Sequence, residues 1–375
     1  MNRETTLIII TLLVFSIKIY GQQESKPSCK INYEIQVNYL KQTEDFDEFL
    51  WNKTLEIFER TLIIDCHLHQ PFRIDQRPKQ VTYSYLNSNK IGIVRGFPLR
   101  RESSESISER IMADIINFKK EIIDSAFNIQ LVKNPDDFAA AVSSHQIPIL
   151  IHLESFEGLA EGEVSNLQKY YNEGVRMIGF NQSGLDTVWL NDKLTRYGID
   201  FIKELTRLGL ICDITHIRRT IQNQVIELTD VPVIISHGGA FGAVNSVFNT
   251  PDSLLIKMTS KGGMIGVSFF SGQISTNVLS EINSGVEWDK TGRAAIEELI
   301  DHIDYLKKLV GIDHIGIGSD YGGSGSMSPT GLETIEGFPL IIYHLLKRGY
   351  SEEEIEKVLG LNYISFFKRI EAKAY

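Results

Sequence analysis

The 375-residue sequence predicts an α/β fold, a (β/α)8 TIM-like barrel with extra C-terminal helices. Three observations carry that prediction. Eight short, nearly uninterrupted apolar runs recur along the chain, amphipathic stretches alternate with them, and most of the runs end in ionisable residues. A parallel sheet covered on both faces needs strands that are apolar throughout. An open doubly wound sheet would show the same alternation, but no glycine-rich phosphate-binding turn follows the first run.

The predicted strands are "TLIIDCH" (61–67), "KIGIVRGF" (90–97), "IPILIHLE" (147–154), "VRMIGFNQ" (175–182), "LICDITH" (210–216), "VPVIISH" (231–237), "GMIGVSFF" (263–270) and "HIGIGSD" (314–320). Among the helices, residues 45–60 place Phe46, Phe49, Leu50, Ile57 and Phe58 at helical spacing. "IDFIKELTRLG" ends on Gly209, a residue suited to a left-handed helix cap. In 295–309, Ile296, Leu299, Ile300, Ile303 and Leu306 form one apolar stripe. The tail, 334–371, reads as two or three further helices.

The first residues, "MNRETTLIIITLLVFSIKIYGQQ", have a basic residue, an apolar run and small Gly21, the layout of a signal peptide over 1–21. Export to a periplasmic or secreted location is therefore expected, with membrane association only if the leader stays uncleaved. Residues 22–44 read as a polar N-terminal extension, irregular or peripheral, and 45–375 as the barrel domain. The net charge of −10, with no basic cluster, excludes a nucleic-acid partner. Three cysteines cannot build a disulfide framework. Cys66 and Cys212 fall in apolar runs, where a cysteine acts as a small buried hydrophobe.

The strand ends carry the chemistry. The first run ends in His67 and His69, the third in Glu154, the fifth in His216, the sixth in His237 and the eighth in Asp320. In a barrel these C-terminal ends converge on one mouth. Four histidines, a glutamate and an aspartate there are an inventory of metal ligands. His216 and His237, each alone, read more readily as satisfied core or rim residues, and His67 with His69 reads equally as a metal pair or as solvent-facing; the set of six decides for metal. His152 reads as structural, Asp213 as bonded within the barrel, and Asp65 as a carboxylate able to orient a ligand from below. His145, His302, His314 and His344 have no place in the set.

The pattern resembles the membrane (renal) dipeptidases, a branch of the amidohydrolase superfamily, over roughly 45–371. "IIDCHLHQP" is similar to that family's Asp-Gly-His-Asn-Asp opening, and "RLGLICDITHI" to its strand ending in a ligand histidine. "VPVIISHGGA" resembles Pro-Val-Ile-x-Ser-His, "FNTPDSLL" resembles Arg-Asn-x-Pro-Asp, and "DHIGIGSDYGG" resembles Gly-x-Gly-x-Asp-Phe-Asp-Gly. The resemblance implies a barrel of the metal-dependent hydrolase type holding zinc, as two ions or one. Glu154 would bridge them, with His67 and His69 at one and His216 and His237 at the other. It further implies a metal-activated water as nucleophile and Asp320 as the acid–base group.

Three positions depart from the pattern. His69 stands where the family has Asp, which removes one negative charge. Gln182 stands where it has a substrate-binding histidine, with Asn181 beside it. Phe248 stands where it has the arginine that grips a substrate carboxylate, so Arg73 or Arg218 takes that role or the substrate lacks the carboxylate. The expected function is a dipeptidase-like hydrolase acting on a dipeptide or related small molecule. The alternatives are an amidohydrolase acting on a non-peptide amide or lactone, and an inactive metal-binding relative. A homodimer is the candidate assembly.

Overall fold

Eight parallel strands close on themselves in the computed structural model. They are β1 (Ile63–Leu68), β2 (Ile91–Phe97), β3 (Ile147–Leu153), β4 (Val175–Gly179), β5 (Ile211–Asp213), β6 (Ile234–Gly238), β7 (Met264–Ser268) and β8 (Ile315–Gly318). Each pairs with the next in parallel, and β8 returns to β1 through Asp65 opposite Ile317. All eight lie where the apolar runs predict them. The short strand Ile129–Leu131 adds to β3 from outside the closed circuit, and Trp189–Leu190 pairs with Lys193–Leu194 as a hairpin. The structure describes residues 33–43, 46–69, 80–97, 107–124, 127–154, 163–179, 188–323 and 327–374. Residues from Gln36 onward form one compact unit. The leader lies outside the described residues. Among those described, no helix is long and apolar enough to cross a membrane.

Two of the predicted helices follow their patterns; in the first along the chain, Glu48–Arg60, Ile57 and Phe58 are buried with Trp51 and Thr54, while Phe49 is exposed. In Ile296–Val310 the five stripe residues are all buried. Arg196–Leu208 ends at Gly209 with φ 68°, and starts where the Thr195 side chain accepts from the Gly198 N–H. The tail forms Phe338–Lys347, Glu352–Glu356, a π turn at Lys357–Leu361 and Asn362–Glu371. Its last part packs at the barrel's N-terminal end. There the Asn362 amide donates to the carbonyls of Ile312 and Ile315, and Tyr363, Phe366 and Phe367 join a core that includes Ile64, Val94, Leu150 and Met264. Cys66 and Cys212 are buried free thiols, as expected. The expectation of an irregular 22–44 is corrected: Glu34–Gln42 is a helix, with Leu40 buried. Its sequence is too polar to announce it. The Gln36 amide, donating to the distant Glu336 carbonyl, supplies part of the support.

Two irregularities in the strands position the chemistry. Between β1 and β2 the register steps from Asp65↔Ile93 to Leu68↔Arg95, so β1 carries one extra residue across Cys66–His67. Between β6 and β7 it steps from Ile235↔Ile265 to Gly238↔Val267, an extra residue across Ser236–His237. Such bulges interrupt the alternation of faces and re-aim a side chain. Each sits at a histidine of the candidate site.

Candidate metal centre

The six strand-end residues meet. His67 Nε2 lies 3.2 Å from His69 Nε2 and 3.7 Å from Glu154 Oε1, while His69 Nε2 lies 3.3 Å from Glu154 Oε2. On the other side, His216 Nε2 and His237 Nε2 are 2.7 Å apart, and stand 3.7 and 3.9 Å from Glu154 Oε1. Asp320 Oδ1 stands 3.7 Å from His67 Nε2 and 3.5 Å from His69 Nε2. Glu154 Oε1 thus faces His67, His216 and His237, and Oε2 faces His69. Three overlapping sets, His67–His69–Glu154, Glu154–His216–His237 and His67–His237–Asp320, each gather their donor atoms within 4.8 Å.

The backbone is shaped to bring them there. Main-chain bonds from the Asp320 N–H to the His67 carbonyl (2.9 Å), and from the His69 N–H to the Tyr321 carbonyl (2.7 Å), tie the tips of β1 and β8 together. His216 and Asp320 adopt left-handed φ values of 64° and 56°. That region costs a non-glycine residue about 1–3 kcal/mol and is concentrated at functional sites. Gly96 of β2 faces the His67 ring: a Cβ there would overlap Cε1 and lie 3.0 Å from Nε2. The ring occupies space that only a glycine leaves open.

Donor chemistry and charge both fit a bound cation. Donors around a tetrahedral ion with bonds near 2.1 Å stand about 3.4 Å apart, within the range of the spacings here. Burial, reinforced by the neighbouring imidazoles, holds His67 and His237 well below the usual histidine range, and burial alone pushes His216 down to about 4. These rings are neutral at pH 7, as ligands must be. Burial, then the charges of Asp320 and Asp213, raises the Glu154 carboxyl, with Arg95 opposing. A cation between these groups would relieve the crowding of negative charge.

A further layer of polar groups lies behind the ligands. His152 is fully buried, with Nδ1 3.1 Å from His67 Nδ1 and Nε2 3.4 Å from Asp213 Oδ2. Ser236 Oγ lies 2.9 Å from His237 Nδ1 and donates to Asp213 Oδ2 at 2.5 Å. Asp213 Oδ1 accepts from the Thr215 hydroxyl and from the N–H groups of Thr215 and Ser236. Asp213 is bonded within the barrel as predicted. His152 is more than a structural residue, since it touches a candidate ligand. Its place two residues before Glu154 on one strand was the available signal. Asp65 grips backbone rather than a ring, its Oδ1 accepting from the N–H groups of His67 (3.2 Å) and Ser319 (2.9 Å).

Other expectations separate. Gln182, Asn181 and Arg73 lie outside the described residues. Phe248 is about half exposed on the β6 loop, edge-on to Phe270, which in turn meets Trp288. Arg218 pairs with Asp192 at 2.8 Å. Arg219 bonds the Asn249 carbonyl and covers the Phe241 ring. His302 accepts from the Ala240 N–H and His314 bonds the Gly263 carbonyl, both away from the centre.

Known proteins share this arrangement of elements. The probable dipeptidase PvdM from Pseudomonas aeruginosa superposes with a TM-score of 0.76, at 20% identity, over 88% of this chain and 100% of that one. A metallo peptidase from Rhodobacter sphaeroides, liganded with a phosphinate mimic of the dipeptide L-Ala-D-Ala, superposes at 0.66 with 16% identity, over 82% of this chain and 99% of its own. In sequence, human Dipeptidase 3 is 27% identical over 283 residues, 72% of this chain and 54% of the human protein. Dipeptidase tcpJ of Claviceps purpurea is 27% identical over 251 residues, 65% of this chain and 56% of its own. The chain spans about half the length of the curated relatives it matches. Residues 52–375 match the family Membrane dipeptidase (Peptidase family M19), and the chain belongs to that family.

Proposed function

We propose that this chain is an exported, zinc-dependent hydrolase that cleaves the amide bond of a dipeptide or a related small molecule. The observation that carries the reading is the single cluster formed by Glu154, four histidines and Asp320 at the barrel mouth. Nitrogen and carboxylate donors suit zinc. His67 and His69 with Glu154 would hold one ion, and His216 and His237 with Glu154 a second. The bound metal supplies Lewis acidity and lowers the pKa of the attacking water. Asp320 Oδ1, at the edge of the His67–His69 pair, is placed to hold a proton taken from that water and pass it to the departing amine.

Elemental analysis of the purified protein, with a dipeptide panel, tests this. Two zinc equivalents and turnover reduced at least a thousandfold by Asp320→Asn are expected, within the range that acid–base catalysis contributes. A metal-free protein that leaves every dipeptide intact would sink the reading. One observation favours a second reading, hydrolysis of a non-peptide amide or lactone. Phe248 and its aromatic neighbours offer no charge to a carboxylate, and Arg218 is paired with Asp192. Turnover of uncharged amides with none of dipeptides would establish it.

A further inference from the structure

We infer that Asp213 is the common anchor of both halves of the metal centre, acting as a positioning residue through His152 on one side and Ser236 on the other. The inference rests on the metal reading above and concerns what holds the ligands rather than what they cleave.

The argument follows the protons. His67 turns Nε2 toward His69, Glu154 and Asp320, so as a ligand it carries its hydrogen on Nδ1. That nitrogen faces His152 Nδ1 at 3.1 Å, which must therefore be bare. The His152 hydrogen then sits on Nε2, and the carboxylate facing it is Asp213, through Oδ2 at 3.4 Å. This last contact is an electrostatic approach, longer and less aligned than a hydrogen bond; Nε2 has no other partner among the described residues. On the second side, His237 turns Nε2 toward His216 and Glu154 and donates Nδ1–H to Ser236 Oγ. The serine hydrogen goes to Asp213 Oδ2. Two donor chains from two ligand histidines thus end on one oxygen atom. Outer partners of this kind fix the tautomer and orientation of ligand histidines, and losing one typically costs 10–100-fold in metal affinity.

Zinc affinity, measured by competition with a chelating dye, provides the test, each variant being checked for folding by its melting curve. In a His216→Ala background, which leaves the first half, His152→Ala or His152→Phe should weaken zinc binding at least tenfold while Ser236→Ala does not. In a His69→Ala background the two effects should exchange, and Asp213→Asn should weaken binding in both. Unchanged affinities, or equal losses in both backgrounds, overturn the inference. Long-range 15N–1H spectra of metal-free protein add a readout that does not depend on zinc. His152 should carry its proton on Nε2 in the wild type and lose that preference in Asp213→Asn; a proton on Nδ1 in the wild type refutes the relay even if the protein takes up no zinc.

Discussion

The β1–β8 and β5–β6 corners of the barrel are built to one plan. Asp65 lies opposite Ile317, and Asp213 opposite Ile234. Each carboxylate accepts the N–H two residues ahead, at His67 or Thr215, and the N–H of a serine just beyond its partner, Ser319 or Ser236. Each serine precedes a site residue, Asp320 or His237. The corners differ in what the second carboxylate oxygen does. Asp213 Oδ2 takes the Ser236 hydroxyl and faces His152, whereas Asp65 Oδ2 has no hydrogen-bond partner among the described residues. Burial pushes the Asp65 carboxyl up to about 7, against the pull of its Ser319 and His67 donors. The same backbone grip serves at one corner to shape the chain, and at the other also to carry a side-chain network to the ligands.

Stability offers the largest contrast. Asp213→Ala strands the Thr215 N–H and takes the acceptor from two hydroxyls, while the Ser236 N–H keeps Thr215 Oγ1 at 2.9 Å. The expected loss is on the order of 3 kcal/mol in urea denaturation of metal-free protein, against about 2 kcal/mol for Asp65→Ala, which strands two N–H groups. Equal losses would mean that the hydroxyls at the second corner contribute nothing. Activity gives the next effect. Gly96→Ala pushes from its place the His67 ring, which stacks on His237 at 4.0 Å, with its nearest clashes all on His67. It should lower kcat/KM by about a hundredfold, the order expected for a group displaced by an ångström, and, on the proposed two-ion reading, release at most one metal ion. Loss of both ions would show that the corners are not separable.

The smallest effect concerns the support behind the second corner. His302 Nε2 accepts the Ala240 N–H, three residues past His237, and burial pushes His302 down to about 4. The unfolded chain protonates near 6.5 while the folded chain resists, so stability falls as pH drops from about 6.5 toward 4. In melting curves between pH 7 and 5, His302→Gln should remove on the order of 1–2 kcal/mol of that fall. An unchanged pH dependence would take His302 out of the account.

Much of this architecture is legible in the chain because a closed parallel sheet leaves its mark on every strand. The apolar runs locate β1 to β8, and the Ile296–Leu306 stripe gives a helix whose buried face is the one observed. The six residues that meet at the barrel mouth are legible because each closes a predicted strand. The hairpin at 189–194 went unread although Asn191 and Asp192, at φ 49° and 61°, are residue types suited to its turn. The outer layer was illegible for a different reason. His152 meets His67 across 85 positions and Asp213 meets Ser236 across 23, and no local period encodes either pairing.

The extra residues across Cys66–His67 and Ser236–His237 turn the centre into a matter of reading frame. A strand without its bulge would pair with its neighbour just as well, and the apolar residues around it would still find a core. Its histidine, however, would pass to the helix-covered side. Single-residue deletions in these two segments are therefore a different hazard from substitutions: the barrel can keep its hydrogen bonds while the half of the centre on that strand is re-aimed. Lineages that shed or gained one codon here would keep the fold while changing its chemistry, and a search for relatives with altered function can begin by counting residues between Asp65 and Leu68.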